Sequence, residues 1–240
     1  MRQQYPAEIS GFRFQDLNSS RILLQSDGAE AATWQLTACI GDEAFQFSPL
    51  GTHFIYNAKG LSSIMCDHGA FHLGQGMYAA VPGYCRWRGQ GIVISVPEYR
   101  GFFHIGGPIE KTGRLKYIDG CTDSLLIPPP KKGDPCLNHL HFPGRVNQTM
   151  HTHPTVRIGI VARGRGICRT PTGPVNLEPG LMWVLHAHGQ HGFTTGEEPM
   201  DVIVWHPDSD HGPSDEEHPM LNRTIVEGGS ATAMRKEGKI

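Results

Sequence analysis

The sequence lacks both a long apolar run and a strong excess of one charge. Nowhere in its 240 residues is there the run of about 18 apolar residues that a transmembrane helix needs. The first residues, MRQQYPAEISGFRFQ, lack the apolar core of a signal peptide. Lysine and arginine number 21 against 23 acidic residues, and the basic residues are scattered. We therefore expect a cytoplasmic protein with no membrane partner and no nucleic-acid partner.

Closely spaced cysteine pairs are also missing. The six cysteines are well separated and form no CxxC motif, so in a chain without a signal peptide we expect reduced core residues. Histidine is the abundant functional residue type instead. Four of the 14 histidines precede residue 110, and ten lie between residues 139 and 218. Metal or acid–base chemistry is therefore expected in the second half of the chain.

Helical periodicity is scarce as well. Short apolar stretches, such as GIVISV, TVRIGIVA and DVIVWH, are separated by turns rich in the 30 glycines and 18 prolines. This pattern predicts an all-β protein. Three consecutive prolines in LLIPPPKKGDP, residues 125–135, favour an extended linker. We place the boundary just before it, which gives predicted domains at residues 1–120 and 121–240.

The two halves resemble each other at an offset of 104 residues. The stretch KGLSSIMCDHGAFHLGQG has the same spacing between glycines as RGRGICRTPTGPVNLEPG, and Gly69 aligns with Gly173 and Leu73 with Leu177. Repetition at a fixed offset indicates two copies of one structural unit. The sequence therefore predicts that each half forms the same kind of β domain.

The segment MHTHPTVR contains the clearest metal-binding pattern. His151 and His153 are two residues apart, so in an extended strand their side chains point to the same side and can reach one ion. Arg157 follows four residues later. A third ligand must come from elsewhere in the chain.

The second half resembles the cupin superfamily in two motifs, PGRVNQTMHTHPTVRIGIVARGRG and LEPGLMWVLHAHGQHGF. The resemblance implies a bicupin, with two antiparallel β-barrel (jelly-roll) domains in tandem. It also implies that His191 is the third metal ligand, with His186 or His188 as alternatives. The aligned positions in the first half are Phe47, Pro49 and Trp87, which cannot bind a metal, so the metal is expected only in the second barrel.

Many cupins have a glutamate ligand at the position of Arg157. Cupins with three histidines and no glutamate ligand include Fe(II) dioxygenases such as the gentisate-type enzymes, which this chain resembles in its ligand set. The gentisate-type enzymes differ in having a small residue at the position of Arg157. Iron is therefore the expected metal, with Zn, Mn, Ni or Cu as alternatives. Three neutral imidazoles and a guanidinium leave the site positively charged, so Arg157 is expected to orient a small anionic substrate, a carboxylate or an enolate. The alternative is that Arg157 points outward and pairs with a surface carboxylate.

The leading interpretation is a mononuclear Fe(II) dioxygenase that uses O2, expected to be a homodimer. A second interpretation keeps the metal for a non-redox decarboxylase, lyase or isomerase, and a third is a non-catalytic bicupin that binds a small molecule. His139 and His141 share one face of a predicted strand. If that face points into the barrel, both are candidate catalytic residues, and a structural role is the alternative.

Overall fold

A computed structural model describes residues 12–16, 22–26, 33–39 and 43–240. The first half contains β1 (Phe12–Asp16), β2 (Ile22–Gln25), β3 (Gln35–Cys39), β4 (Ala44–Phe47), β5 (Thr52–Cys66), β6 (Gly69–Leu73), β7 (Tyr78–Pro82), β8 (Cys85–Val96), β9 (His104–Gly106) and β10 (Leu115–Lys116). The second half contains β11 (Thr122–Ile127), β12 (Cys136–Phe142), β13 (Arg157–Thr170), β14 (Gly173–Leu177), β15 (Leu181–Leu185), β16 (Gly192–His206), β17 (Ile225–Val226), β18 (Gly229–Ser230) and a short helix, α1 (Ala231–Lys236).

The strands form two eight-stranded antiparallel sheets and a small hairpin of β17 and β18. The first sheet has the order β2-β3-β8-β5-β7-β9, with β4 beside β8 and β6 beside β5. The second has the order β1-β15-β13-β16-β12-β11-β10, with β14 beside β13. The predicted all-β, antiparallel fold is confirmed. In the described part of the chain, no helix is long and apolar enough to cross a membrane.

The same strand pairings occur in both sheets. Strand β5 pairs with β6, β7 and β8, as β13 pairs with β14, β15 and β16. Ser62 pairs with Leu73, and Gly166 pairs with Leu177, which reproduces the 104-residue offset. The division at residues 120 and 121 stays a proposal. Strand β1 crosses that division, because it pairs with β15 of the second half.

The largest apolar cluster joins the two sheets. It contains Phe54 and Ile94 from the first half and Ile203 and Trp205 from the second. The rings of Phe54 and Trp205 have their centroids 6.2 Å apart. Burial of such large side chains provides most of the free energy that stabilises a β fold. The two halves are therefore packed against each other through their sheets.

The extended linker predicted at residues 125–135 is shorter in the structure, and backbone hydrogen bonds hold it to another segment. Residues 125–127 belong to β11, and Cys136 already begins β12. Between them, the backbone N–H of Lys132 donates to the carbonyl of Pro213, and that of Gly133 donates to the carbonyl of Ser209. These bonds fasten the connection between β11 and β12 to the segment that follows β16.

The repeat offers a matched pair of glycines for a stability test. Gly60 and Gly164 occupy equivalent positions and have φ of 65° and 72°. Alanine at either position should cost about 1–2 kcal/mol of unfolding free energy, because a Cβ disfavours left-handed backbone. Gly164→Ala should lose about 1–3 kcal/mol more, since its Cβ would lie 1.9 Å from the carbonyl oxygen of Pro199, whereas Gly60 has open space. Urea unfolding measures both, and equal losses would contradict the prediction.

Candidate metal centre

Two distant segments meet at the predicted metal ligands. The backbone N–H of His151 donates to the carbonyl of His191 at 2.8 Å, and the N–H of His191 donates to the carbonyl of His151 at 2.9 Å. The pair forms an isolated antiparallel bridge just before β16 begins. The N–H of His188 donates to the carbonyl of His153 at 2.7 Å. These bonds hold the turn between β15 and β16 against the loop that carries the first two ligands.

The three imidazoles converge on one point. One nitrogen from each of His151, His153 and His191 lies within 4.8 Å of the others, and this is the only metal-capable group of three found in the described ranges. Nδ1 of His151 donates to the carbonyl of Thr149, and Nδ1 of His191 donates to that of Gly189, both at 2.8 Å. These bonds fix the tautomer, so the Nε2 lone pairs of both rings are free to bind a metal.

The protonation state of the ligands also suits a metal. Burial lowers the pKa of His153 to about 3, and the positive charge of Arg157 acts in the same direction. Burial likewise lowers the pKa of His191 to about 4, against the opposing effect of its hydrogen bond to Gly189. Both rings are therefore neutral at pH 7, and a neutral imidazole is the form that coordinates a cation. The donor set fits one divalent transition metal.

The three histidines open into a cavity of about 440 Å³ on the inner face of the second sheet. Much of its wall is apolar and comes from alternate residues of neighbouring strands, including Leu140, Trp183, Leu185 and Val204. Polar side chains also line the cavity, and those that contact one another near the histidines are considered one by one. A cavity of this kind holds a small organic molecule and orients it with a limited number of polar contacts.

Arg157 lies in the wall of this cavity. Its side chain is 15% exposed, so the outward orientation that the sequence left open is not found. Nη1 donates to Oγ1 of Thr155 at 2.6 Å and to the carbonyls of Thr155 and Val156. Among the described residues, Nε and Nη2 have no hydrogen-bond partner. One edge of the guanidinium is therefore held by the chain, and the other can bind an anion.

An acid that the sequence analysis did not predict lies beside Arg157. Oδ1 of Asp208 is 3.8 Å from Nη1 of Arg157 and 2.6 Å from Oγ1 of Thr155, which donates to it. Asp208 follows β16, 51 positions after Arg157, so no local spacing could reveal this contact. Its carboxylate offsets part of the positive charge that was expected at the site. An anionic ligand must compete with this ion pair for the guanidinium.

His139 and His141 do share one face of β12, but that face points away from the cavity. The cavity is lined instead by the residues with even numbers on β12, Cys136, Asn138 and Leu140. Nε2 of His139 and Nδ1 of His141 lie 2.7 and 2.9 Å from Oδ1 of Asp201. The two histidines therefore contact a buried carboxylate and do not line the cavity of the three-histidine group. Their role as catalytic residues stays a prediction, with the structural role as the alternative.

The alternative ligands His186 and His188 are not part of the three-histidine group. His188 has φ of 62° and contributes its backbone to the turn.

A further support for the site was not apparent from the sequence. Phe12 on β1 packs its ring edge-on against His191, with centroids 6.4 Å apart. A segment of the first half thus helps to position a ligand of the second.

Asp123 is another cavity residue that the sequence analysis missed. It lines the cavity from β11, and its Oδ1 is buried without a hydrogen-bond partner in the described part of the chain. Burial raises the pKa of this carboxyl to about 6, against the effects of a backbone hydrogen bond from Ser124 and the charge of His139. A carboxyl that titrates near neutral pH inside a cavity is suited to acid–base chemistry.

Solved structures show what this fold is similar to, although no family model and no curated protein matches the chain. A cupin 2 conserved barrel domain protein from Leptotrichia buccalis has a TM-score of 0.59 at 13% identity, covering 82% of this chain and 96% of that one. The protein Ylba from E. coli reaches 0.64 at 15% identity, with 89% and 97% covered. Salicylate 1,2-dioxygenase from Pseudoaminobacter salicylatoxidans, in an adduct with gentisate, reaches 0.56 at 10% identity, with 93% and 77% covered. The chain therefore has the cupin fold.

The geometry predicts which variants lose a bound metal. His151→Ala and His191→Ala each remove one of three nitrogen ligands, so protein purified without a histidine tag should lose its metal by elemental analysis. His188→Asn is the matched control, because asparagine tolerates the left-handed backbone and His188 lies outside the ligand group. The control should keep its metal. If His151→Ala and His191→Ala kept as much metal as His188→Asn, the three-histidine centre would be ruled out.

Proposed function

We propose that the chain is a mononuclear metalloenzyme, an Fe(II) dioxygenase that acts on a small anionic substrate. The observation that supports this most strongly is the convergence of His151, His153 and His191 in a cavity that also contains Arg157. The three-histidine set without a carboxylate ligand agrees with iron as the metal. When bound, Fe(II) supplies Lewis acidity and one-electron redox chemistry.

The residues of the chain bind and orient the substrate. The unpaired edge of Arg157 attracts a carboxylate or enolate oxygen and holds it with charge-assisted hydrogen bonds. The apolar walls, including Leu140 and Trp183, pack against the hydrocarbon part of the substrate and exclude water. Exclusion of water strengthens the attraction between the anion and the positive groups. A planar hydroxybenzoate such as gentisate, the ligand of one fold neighbour, has this combination of an anionic head and an apolar body.

A second candidate function keeps the same metal and dispenses with oxygen. Asp123 in the cavity wall favours it, because a carboxyl with a pKa near 6 can take or give a proton to a bound substrate. Decarboxylation, lysis and isomerisation all require such proton transfers. In this reading the metal is a Lewis acid and Zn or Mn serves as well as iron.

Three expectations from the sequence stay predictions. The cytoplasmic location and the homodimer rest on composition and on the cupin resemblance. The absence of a nucleic-acid partner rests on the scattered basic residues.

Exchange of the metal separates the two candidate functions. Protein loaded with Fe(II) should consume dioxygen when it is given gentisate or a related hydroxybenzoate, and protein loaded with Zn(II) should not, since Zn(II) has no redox chemistry. An oxygen electrode and product analysis measure both. Turnover by the Zn(II) protein without oxygen would refute the dioxygenase and favour the second candidate.

The role of Arg157 can be measured apart from turnover. Arg157→Ala should leave the metal content unchanged, because guanidinium is not a ligand, and should weaken gentisate binding to the Zn(II)-loaded protein. Loss of a charge-assisted hydrogen bond corresponds to about 1.5–3 kcal/mol, or roughly 10- to 150-fold in Kd. The matched control is Arg145→Ala, which removes an exposed arginine that pairs with Glu197. Unchanged affinity in Arg157→Ala would show that this arginine does not bind the anion.

A further inference from the structure

A second reactive group lines the cavity beside the metal centre. Cys136, the first residue of β12, pairs in register with His206, the last residue of β16. Sγ of Cys136 lies 2.9 Å from Nε2 of His206, and Nδ2 of Asn138 lies 3.1 Å from the same nitrogen. All three side chains line the cavity. A nucleophile within hydrogen-bond reach of an imidazole is the usual arrangement of an activated thiol.

A carboxylate lies beside the imidazole. Oδ1 of Asp208 lies 3.6 Å from Nδ1 of His206. This is slightly longer than a hydrogen bond, as such contacts often are before a substrate binds. The neighbouring imidazole of His206 and the hydrogen bond from Thr155 lower the pKa of Asp208 to about 2, so the carboxylate stays ionised. The negative charge favours a proton on Nδ1, which leaves the lone pair of Nε2 as an acceptor shared between the thiol of Cys136 and Nδ2 of Asn138.

The thiol needs such a base. Burial raises the pKa of Cys136 to about 12, despite the opposing charge of Arg157. Near neutral pH the sulphur is therefore protonated, and it can react only if a neighbouring group removes the proton as the new bond forms. The thiols of Cys66 and Cys168 have different surroundings, because each points at a backbone carbonyl oxygen.

Arg157 lies next to this pair. Ile158 pairs with Trp205 in the ladder between β13 and β16, so Arg157 is opposite His206 on the cavity face. Asp208 contacts both side chains, at 3.8 Å from Arg157 and 3.6 Å from His206. The charge of Arg157 also acts on the thiol of Cys136, and both side chains line the same cavity, so a carboxylate held by Arg157 shares the cavity with the thiol.

We propose that Cys136 is a nucleophilic thiol, with His206 as its base and Arg157 as its anion-binding neighbour, and that this wall accepts small electrophiles that carry a carboxylate. In the reaction, sulphur forms a bond to the electrophilic carbon. The thiol proton passes to Nε2 of His206, and the leaving group departs with the electron pair of its bond to carbon. No oxidant and no metal takes part, so the reaction does not need the dioxygenase activity, although both proposals use Arg157 as the anion site.

Alkylation with two small reagents tests the site. Iodoacetate and iodoacetamide react alike at carbon and differ in that only iodoacetate is an anion. The metal-loaded protein is treated with each reagent near neutral pH, and mass spectrometry follows the six cysteine-containing peptides over time. Cys136 should be alkylated at least about 10-fold faster than the other buried cysteines, and iodoacetate should be preferred, because Arg157 attracts it.

Two variants separate the base from the anion site. His206→Gln should slow the alkylation of Cys136 by both reagents, by about 100-fold, the usual contribution of a general base. Arg157→Met should slow iodoacetate alone, by about 10-fold. His218→Ala, an exposed histidine outside the cavity, is the matched control and should change neither rate. Asp208→Asn provides a second test of the base if His206→Gln exposes the other cysteines, which the same spectra reveal.

The outcomes that overturn the proposal are specific. If Cys136 reacts no faster than Cys85 or Cys168, the thiol is an inert core residue. If the two reagents are equally preferred at Cys136 and at the other cysteines, the wall does not select carboxylates. His151→Ala should lose the metal and keep the labelling of Cys136, so a failure of the dioxygenase proposal and a failure of this one are told apart.

Discussion

The reciprocal backbone hydrogen bonds between His151 and His191 are the interaction on which the site depends. They join residues 40 positions apart, and each bond fixes the backbone from which a ligand side chain projects. Without them, the loop before β13 and the turn before β16 would carry their imidazoles independently. The conformational entropy of these two segments is then lost on folding and need not be lost again when the metal binds. The centre is therefore preorganised by backbone pairing.

The long strand β16 extends this order from the metal to the rest of the cavity. It begins just after His191 and ends at His206. Its alternation sends Val204 and His206 to the cavity and sends Asp201 and Trp205 to the opposite face. On that face, Asp201 accepts hydrogen bonds from His139 and His141, and Nε of Arg163 donates to its other oxygen at 3.0 Å. One strand thus connects the ligand turn, the buried carboxylate and the base beside Cys136.

The convergence of the three histidines was predictable from the sequence, and several of their surroundings were not. The alternation of side chains along an extended segment predicted that His151 and His153 share a side. The resemblance to the cupin motif predicted His191. Alternation also showed that His139 and His141 share a face, but period alone does not tell which face points into a barrel. The contacts of Phe12 with His191 and of Asp208 with Arg157 join positions too distant for any local pattern.

The fold shows a similar division between local and distant information. Turn-rich apolar stretches and the 104-residue offset predicted an all-β chain with repeated pairings, because strand formation and tight turns are local properties. The pairing of β1 with β15 joins residues about 170 positions apart. Nothing in FRFQD distinguishes a strand of the first sheet from a strand of the second, so tertiary packing alone decides the outcome.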